Sequence, residues 1–518
     1  MSQRISKLKG FLSNYWILIA LVVLKFILQY MLVNPVYELH RDEFLHLNQA
    51  DHLAWGFISV PPFTALTSGV INLLGGGLFW IRFFPALYGV LTIIFTWLIV
   101  EAIGGTLISR VLAASALVFS VLLRLNMLFQ PNSFDILIWT IIFYLLIKLV
   151  QTENSKWLYF LALIIALGFY NKYNVLFLIG GLTFGILFSE QFKLFLKPSF
   201  WLAVLLALTL LLPNIIWQIV YHFPVLHHMQ ALKVRQLDNN SYLVFLNSVS
   251  MMFFGSLPLT IGALVAFFFY RPFRNYRFIG ISVIITTIIF TLLKAKGYYA
   301  IGIFPILFAF GSVYIENLLR GKWKLIVVSL LGCINLVLLI SVARLIMPVL
   351  TPSEIRAQAP AFERLRLLRW EDGQTHALPQ DFADMLGWHE MADKALAAYK
   401  MLSAEEQKNT IIFCDNYGQT GALNYYNRNK MPEAWSFNTD YIYWMPHLSG
   451  IKNILLVGKD PGKKITDMFT IFKQVGAVEN EYAREKNTGI YLLRGANTDV
   501  SELLNKRVVE RKLKFDIF

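Results

Sequence analysis

Reactive side chains are concentrated in one short stretch of the sequence, residues 37–62, directly after the first apolar segment. Ionisable groups beside hydrocarbon are costly, so their density here indicates a functional site. Asp42 and Glu43 are adjacent acids, and a carboxylate at a membrane surface can act as general base on an incoming hydroxyl or amine. Neighbouring helical residues point about 100° apart, so we expect one acid to face the reaction while the other binds or braces. A solvated pair balanced by Arg41 is the simpler alternative.

Three histidines, His40, His46 and His52, surround these acids. Asp42 and His46 have the i,i+4 spacing of a helical metal pair, so a divalent cation is one interpretation of the cluster. Surface histidines at a membrane interface are the commoner explanation. The sequence therefore predicts no definite cofactor and leaves a divalent cation at His46 as an open alternative.

A third acid, Asp135, follows in the segment FQPNSFD at the start of a later apolar run. One interpretation makes it a second catalytic carboxylate. The alternative is an acid that satisfies the free amides of a helix N-terminus. We predict that it belongs to the active site together with Asp42 and Glu43.

Basic residues at the ends of apolar runs are candidates for binding an anion. Lys294 and Lys296 precede Tyr298 and Tyr299 in LLKAKGYY, where tyrosine hydroxyls can donate to phosphate oxygens while their rings line an apolar channel. Lysines that only extend to the headgroups are the alternative. The predicted substrate-binding residues are Arg41, Arg82, Lys172, Lys294, Lys296, Tyr298 and Tyr299.

Composition identifies the kind of protein that carries these residues. Of 518 residues, 57% are hydrophobic and only 15% are charged, which excludes an ordinary soluble protein of this length. The net charge of +14 does not indicate nucleic-acid binding, because the basic residues are spread in small groups between apolar runs. Cys333 and Cys414 are the only cysteines, so neither a structural disulfide nor a thiolate metal site is expected.

Apolar runs long enough to cross a bilayer, roughly 17–25 residues, divide the first two thirds of the chain. The first run is too long for a cleavable signal, and no small-residue cleavage site follows it. About eleven spans are predicted, near 15–33, 78–101, 107–127, 134–150, 157–170, 173–189, 200–220, 247–269, 277–293, 299–319 and 324–347.

The distribution of Lys and Arg between these spans predicts their orientation. With the N-terminus inside, the cytoplasmic segments are rich in basic residues, as the positive-inside rule requires. These residues are Arg4, Lys7, Lys9, Arg110, Lys148, Lys156, Lys193, Lys197, Arg271, Arg274, Arg277, Arg320, Lys322 and Lys324. Five features then meet at the outer face, where a site between helices can form. They are the loop with Asp42 and Glu43, the Asp135 turn, Lys172, the 221–246 loop and the Lys294–Tyr299 turn.

The last third of the chain, residues 348–518, is polar and mixed. Strand-like segments at 410–415, 453–458 and 489–494 alternate with helical patterns at 381–400 and 418–427, which indicates a small α/β domain outside the membrane. Residues 361–370 (AFERLRLLRW) could lie along the bilayer surface. The predicted domains are thus 1–347, with its first outer loop at 34–77, and 348–518.

Several segments, taken in order, resemble the GT-C glycosyltransferases of the bacterial protein-mannosyltransferase and aminoarabinose-transferase-like superfamily. The membrane segments are RDEFLHL, HLAWGFISVPPF, WIRFFPAL, FQPNSFD, LGFYNKYN, LPNIIWQ, HFPVLHHM and KGYYAIGIFP. In the tail, DNYGQTGALNYYN and MPEAWSFNTDYIYW are similar to the extracytoplasmic domain of many members. Two departures are Val60, where a polar residue often precedes the double proline, and PNSFD, where the acid often follows proline directly.

The resemblance implies an inverting glycosyltransferase in the bacterial cytoplasmic membrane. It would move a sugar from a polyprenyl-phosphate donor to a lipid, glycan or protein acceptor on the outer side, without nucleic acid or redox cofactor. Asp42 and Glu43 match the acidic motif, with Asp42 the implied catalytic acid, and Lys294, Lys296 and Arg82 match the lipid-phosphate cations. The rival is a lipid or solute transporter or flippase, which would place functional charges near the bilayer midplane and often shows inverted repeats. A sensor with an outer domain would leave the acidic loop unexplained.

Overall fold

The computed structural model describes residues 2–235 and 241–514. Its first two thirds are almost entirely helical. The helices are α1 (Ser2–Met31), α2 (Arg41–Asn48), α3 (Phe63–Leu73), α4 (Leu78–Ala102), α5 (Leu107–Val118), α6 (Leu122–Leu125), α7 (Asn132–Thr152), α8 (Lys156–Asn171), α9 (Val175–Leu187), α10 (Pro198–Val220), α11 (Pro224–Arg235), α12 (Tyr242–Met252), α13 (Leu257–Phe269), α14 (Arg277–Leu292), α15 (Phe304–Leu318) and α16 (Lys322–Ile346). Short 3₁₀ turns occur at Gln49–His52, Glu190–Leu196, Phe254–Ser256, Arg271–Tyr276 and Gly297–Ile303.

Fewer of these helices can cross a membrane than the sequence predicts. Within the described ranges, six are long and apolar enough: Leu78–Ala102, Asn132–Thr152, Pro198–Val220, Arg271–Leu292, Gly297–Leu318 and Lys322–Ile346. Two bent pairs raise the number to eight if each forms one span, with bends of 107° and 78°. Helices lie within the other predicted spans, but they are short, so the number eleven is not confirmed. The predicted 221–246 loop holds α11 and the start of α12, and its residues 236–240 lie outside the described ranges.

Small residues bring the membrane helices into close contact. A Cβ atom on Gly311 of α15 would overlap the backbone of Leu259 on α13, and one on Gly185 of α9 would overlap the carbonyl of Phe278 on α14. In lipid, helix association depends on such packing, because the apolar tails offer no hydrophobic driving force. The glycines thus set the helix spacing in the bundle below the site.

The chain after α16 builds a five-stranded sheet with helices around it. Its helices are α17 (Pro352–Ala357), α18 (Ala359–Arg364), α19 (Gln380–Ala383), α20 (Trp388–Lys400), α21 (Ala404–Lys408), α22 (Tyr417–Tyr426), α23 (Tyr441–Trp444), α24 (Lys463–Thr466) and α25 (Val500–Lys514). The strands are β1 (Thr410–Cys414), β2 (Ala434–Trp435), β3 (Asn453–Gly458), β4 (Phe469–Ala477) and β5 (Gly489–Ala496). Their order is β2-β1-β3-β5-β4, with β1 parallel to β2 and β3, and β5 antiparallel to β3 and β4.

The three strand-like segments of the sequence form β1, β3 and β5, whereas β2 and β4 were not predicted. Residues 361–370 do not form one surface helix: α18 ends at Arg364, and Arg369 instead pairs with Thr375 in an isolated bridge. The backbone turns at Arg366, which has a positive φ of 56°. This turn brings the following hairpin over the site.

Helix α2, which carries Asp42 and Glu43, is held between the helical bundle and the sheet-containing part. Helix α22 approaches α2 so closely that a Cβ atom on Gly421 would lie 2.7 Å from Cβ of Phe44. The carboxylate of Glu38, just before α2, accepts hydrogen bonds from the backbone amides of Gly387 and His389 at 3.0 and 2.7 Å, which satisfies free amides at the start of α20. Residues far apart in sequence are thereby fixed around α2.

Candidate active site

A cavity of about 1150 Å³ lies where α2, the ends of several membrane helices and the sheet-containing part meet. Its polar lining includes His40, Arg41, Asp42, His46, Arg124, Gln130, Asn132, Lys172, His228, Lys296, Tyr298, Tyr299, Arg369, Glu371, Asp372, Asp381, Asp384 and Tyr417. Of the predicted site residues, Arg41, Asp42, His46, Lys172, Lys296, Tyr298 and Tyr299 come together here. Glu43, Arg82, Asp135 and Lys294 do not line the cavity.

Asp42 lies in the first turn of α2, and its side chain is 37% exposed. One carboxylate oxygen, Oδ1, accepts a hydrogen bond from the Tyr417 hydroxyl at 2.7 Å, and the other, Oδ2, accepts one from Gln130 Nε2 at 3.1 Å. Burial alone would raise the pKa of Asp42, but nearby His40 and Arg41, together with the tyrosine, hold that pKa below its ordinary value. An ionised carboxylate therefore faces the cavity at neutral pH.

A chain of hydrogen bonds connects this carboxylate to a lysine. Lys172 Nζ donates to Asn132 Oδ1 at 2.8 Å, Asn132 Nδ2 donates to Gln130 Oε1 at 3.0 Å, and Gln130 in turn donates to Asp42. The lysine ammonium also lies over the Tyr299 ring, 4.4 Å from its centroid. The amide groups thus fix a cation and a carboxylate on the same wall of the cavity.

A second cation, Lys296, lies at the start of the 3₁₀ turn that carries Tyr298 and Tyr299. Its ammonium forms an ion pair with Glu371 at 2.9 Å, and the two side chains are 26% and 47% exposed. The tyrosine rings pack edge to face, with centroids 4.7 Å apart. Lys294, two residues earlier, instead contacts the Tyr242 ring at 5.7 Å. Of Lys294 and Lys296, only Lys296 therefore lines the cavity.

Glu43 and Arg82 form a buried ion pair away from the cavity. Arg82 NH1 donates to Glu43 Oε1 at 2.7 Å and to the carbonyl of Met127 at 2.6 Å. The same carboxylate accepts from the backbone amides of Phe129 and His40, each at 2.7 Å, and the latter closes the capping box of α2. Glu43 thus links the start of α2 to α4 and to the segment before α7. Both of its oxygens are occupied, so it is suited to brace the site and not to contact a substrate.

Asp135 is buried and does not line the cavity. Its two oxygens accept hydrogen bonds from Trp139 Nε1 at 3.1 Å and from Asn174 Nδ2 at 2.7 Å. Asn174 also donates to the Tyr299 carbonyl at 3.0 Å. Asp135 therefore supports the turn that carries Tyr298 and Tyr299, instead of facing the cavity beside Asp42.

The histidines do not assemble into a metal centre. His46 shares a hydrogen bond with Gln49 Oε1 at 3.1 Å, and His40 Nε2 lies 3.7 Å from Asp384 Oδ2. Among the residues that the structure describes, no three His, Cys, Asp or Glu side chains are grouped so that they could hold a metal ion. His40 instead connects Asp42 to Asp384, whose pKa is raised by burial against the attraction of His40 and Arg484.

Comparisons with known proteins agree with this architecture. Residues 59–217 match the family model of dolichyl-phosphate-mannose-protein mannosyltransferases. The structure of ArnT from Cupriavidus metallidurans bound to undecaprenyl phosphate is similar over 94% of this chain and 99% of that chain, with a TM-score of 0.60 and 14% identity. The apo form of the same protein gives a TM-score of 0.61 at 14% identity, over 93% and 98% of the two chains. The chain has the GT-C fold.

The GT-C fold confirms the resemblance seen in the sequence, and with it a multi-pass helical membrane protein with a C-terminal sheet-containing domain. The oligosaccharyltransferase AglB from Archaeoglobus fulgidus, in complex with an inhibitory peptide and a dolichol-phosphate, is more distant, with a TM-score of 0.47 and 11% identity over 86% and 70% of the two chains. A search of curated proteins found no match.

Sequence reasoning missed the part of this candidate site that comes from the C-terminal domain. Arg124 pairs with Asp381 at 3.1 Å in the cavity lining, and Tyr417 contacts Asp42. Arg124 lies within a predicted span, 107–127. A charged residue inside an apolar run is costly in a membrane, and this could have marked Arg124 as a functional residue. The segment DNYGQTG carried the resemblance for the tail, but nothing in its spacing connects Tyr417 to Asp42.

Proposed function

We propose that this protein is an inverting glycosyltransferase that moves a sugar from a polyprenyl-phosphate donor to an acceptor at the outer face of the bacterial cytoplasmic membrane. The observation that carries the proposal is the hydrogen-bonded chain from Lys172 to Asp42, which holds a cation and an ionised carboxylate on one wall of a large cavity. The GT-C fold and the undecaprenyl phosphate bound to the similar ArnT structure support a lipid phosphate as the anion.

The donor phosphate would lie against Lys172 and Lys296, with Tyr298 and Tyr299 beside it. Asp42 would accept the proton of the acceptor hydroxyl or amine as that group attacks the anomeric carbon. The new glycosidic bond forms while the bond from the anomeric carbon to the phosphate oxygen breaks, and the phosphate leaves with the electron pair. The ammonium groups stabilise the charge that grows on the phosphate in the transition state.

The predicted residues that lie outside the cavity take supporting roles in this proposal. Glu43 and Arg82 brace α2, and Asp135 supports the tyrosine turn through Asn174. Arg41 lines the cavity beside Asp42, and its guanidinium lies 4.4 Å from the Tyr417 ring centroid. Residues 1–347 would form the membrane domain, and residues 348–518 would close the site from the outer side.

A transfer assay tests the proposal and its transporter alternative together. Purified protein in liposomes is given radiolabelled undecaprenyl-phosphate sugars and, as acceptor, envelope material from cells that lack the protein. Acceptor-dependent release of undecaprenyl phosphate, with label in an acceptor fraction, is the expected result. Movement of intact lipid-linked sugar across the bilayer without its cleavage would contradict the transferase and favour the transporter.

A further inference from the structure

The C-terminal domain contributes one side chain that touches the central carboxylate. Tyr417 is the first residue of α22, and its hydroxyl donates to Asp42 Oδ1 at 2.7 Å, across 375 positions of sequence. Its ring lies under the guanidinium of Arg41, 4.4 Å from the centroid. One tyrosine therefore contacts two consecutive residues, Arg41 and Asp42, and also lines the cavity.

Several features fix this tyrosine in place. The side chain of Asn416 accepts hydrogen bonds from the backbone amides of Gly418 and Gln419 at 2.9 and 3.1 Å, which caps α22. A Cβ atom on Gly418 would lie 3.3 Å from Cβ of Arg41, closer than side chains ordinarily pack. The cap and the glycine let α22 start directly against α2, so the Tyr417 hydroxyl has little freedom to leave Asp42.

We propose that Tyr417 is a positioning residue that orients the Asp42 carboxylate for proton transfer, an inference that rests on the proposed function. With Oδ1 held by Tyr417 and Oδ2 held by Gln130, the carboxylate is fixed in rotation. A general base must lie within hydrogen-bond reach of the proton that it removes, and small misplacements are costly in rate. The C-terminal domain is then part of the catalytic apparatus.

The charges around Asp42 determine how the contact affects its protonation. Ionisable groups face it from α2 and its cap, from α22, from the 380–384 segment and from the tyrosine turn. They are His40, Arg41, His46, Tyr417, Asp381, Asp384 and Tyr298. Burial and the adjacent Asp42 charge raise the pKa of Tyr417 well above its ordinary value, so this group remains a donor at every working pH. A hydrogen bond to the ionised form lowers the pKa of a carboxyl.

The test compares Tyr417→Phe with a matched control, Tyr441→Phe. Tyr441 also belongs to the C-terminal domain, and its hydroxyl also donates to α2, at 2.7 Å to Asn48 Oδ1. Tyr441 does not line the cavity. Tyr417→Phe keeps the ring against Arg41 and deletes only the hydroxyl. The first readout needs no substrate: a water-soluble carbodiimide couples glycine ethyl ester to protonated carboxyls, and mass spectrometry follows Asp42 against pH.

We expect the midpoint of Asp42 labelling to move up by about one pH unit in Tyr417→Phe, and to stay at the wild-type value in Tyr441→Phe. In the transfer assay, Tyr417→Phe should lower the turnover rate roughly ten- to hundredfold at unchanged donor affinity. Identical labelling midpoints and turnover in wild type and Tyr417→Phe would overturn the proposal while leaving the proposed function intact. A labelling shift in Tyr417→Phe, found while the wild-type protein transfers no sugar, would refute the transferase, and with it any catalytic role of the contact.

Discussion

Replacing Lys172 by Met tests whether the hydrogen-bonded chain ends in a phosphate site. Met keeps an unbranched apolar stem but removes the ammonium, which donates to Asn132 at 2.8 Å and lies over Tyr299 and Tyr298. Among the described residues, no carboxylate lies within ion-pair distance of Lys172, so its charge is available to a ligand. Losing a charge-assisted hydrogen bond costs about 1.5–3 kcal/mol, roughly a ten- to hundredfold loss in donor affinity.

The assay is equilibrium binding of undecaprenyl phosphate to purified protein in detergent. Lys156→Met is the matched control, because Lys156 begins α8, the helix that ends directly before Lys172, and its ammonium lies 5.0 Å from the centroid of the Trp157 ring. We expect the control to bind like wild type. If Lys172→Met binds as tightly as Lys156→Met, then Lys172 only reaches the headgroups and the proposed phosphate site is refuted.

Three further predictions follow from the ion pairs and from the proposed topology. Glu371→Gln should raise affinity for undecaprenyl phosphate several-fold, since it frees Lys296 from its half-exposed partner; lower affinity would show that Glu371 helps to bind the donor. Glu43→Gln leaves the buried Arg82 unpaired, so it should lower the free energy of unfolding by about 3–5 kcal/mol, and an unchanged melting temperature would contradict the brace. In a Cys333→Ser background, Lys408→Cys, exposed on α21, should react with an impermeant maleimide in intact cells; labelling only after lysis would invert the topology.

The sequence was sufficient to locate the acidic motif and the fold that surrounds it. Apolar runs and the ordered resemblance depend on local composition, and the GT-C fold confirmed the resemblance and a multi-pass helical architecture. The orientation inferred from the Lys and Arg residues stays a prediction. Span number was harder to predict, because helices such as α5 and α9 end or bend well before a bilayer is crossed. Hydropathy continues through these breaks, so a window over the sequence merges two short helices into one span.

The division of labour between Asp42 and Glu43 could not be read from the sequence, because both acids are in the first turn of the same helix. Glu43 is turned inward by Arg82, 39 positions later, which the sequence suggested as a phosphate ligand. Asp42 faces the cavity because Tyr417 and Gln130 meet it there. These partners are brought together by tertiary packing, which periodicity and spacing do not encode.

Single-turnover sugar transfer by Asp42→Asn, with donor binding measured on the same preparation, tests the central claim most directly. Asn has nearly the shape of Asp but cannot accept the proton, so the rate should fall by roughly 10²–10⁴-fold. Affinity for undecaprenyl phosphate should stay the same or increase, because a negative charge near the phosphate is removed. A folded Asp42→Asn protein that transfers sugar at the wild-type rate would contradict the assignment of Asp42 as the base.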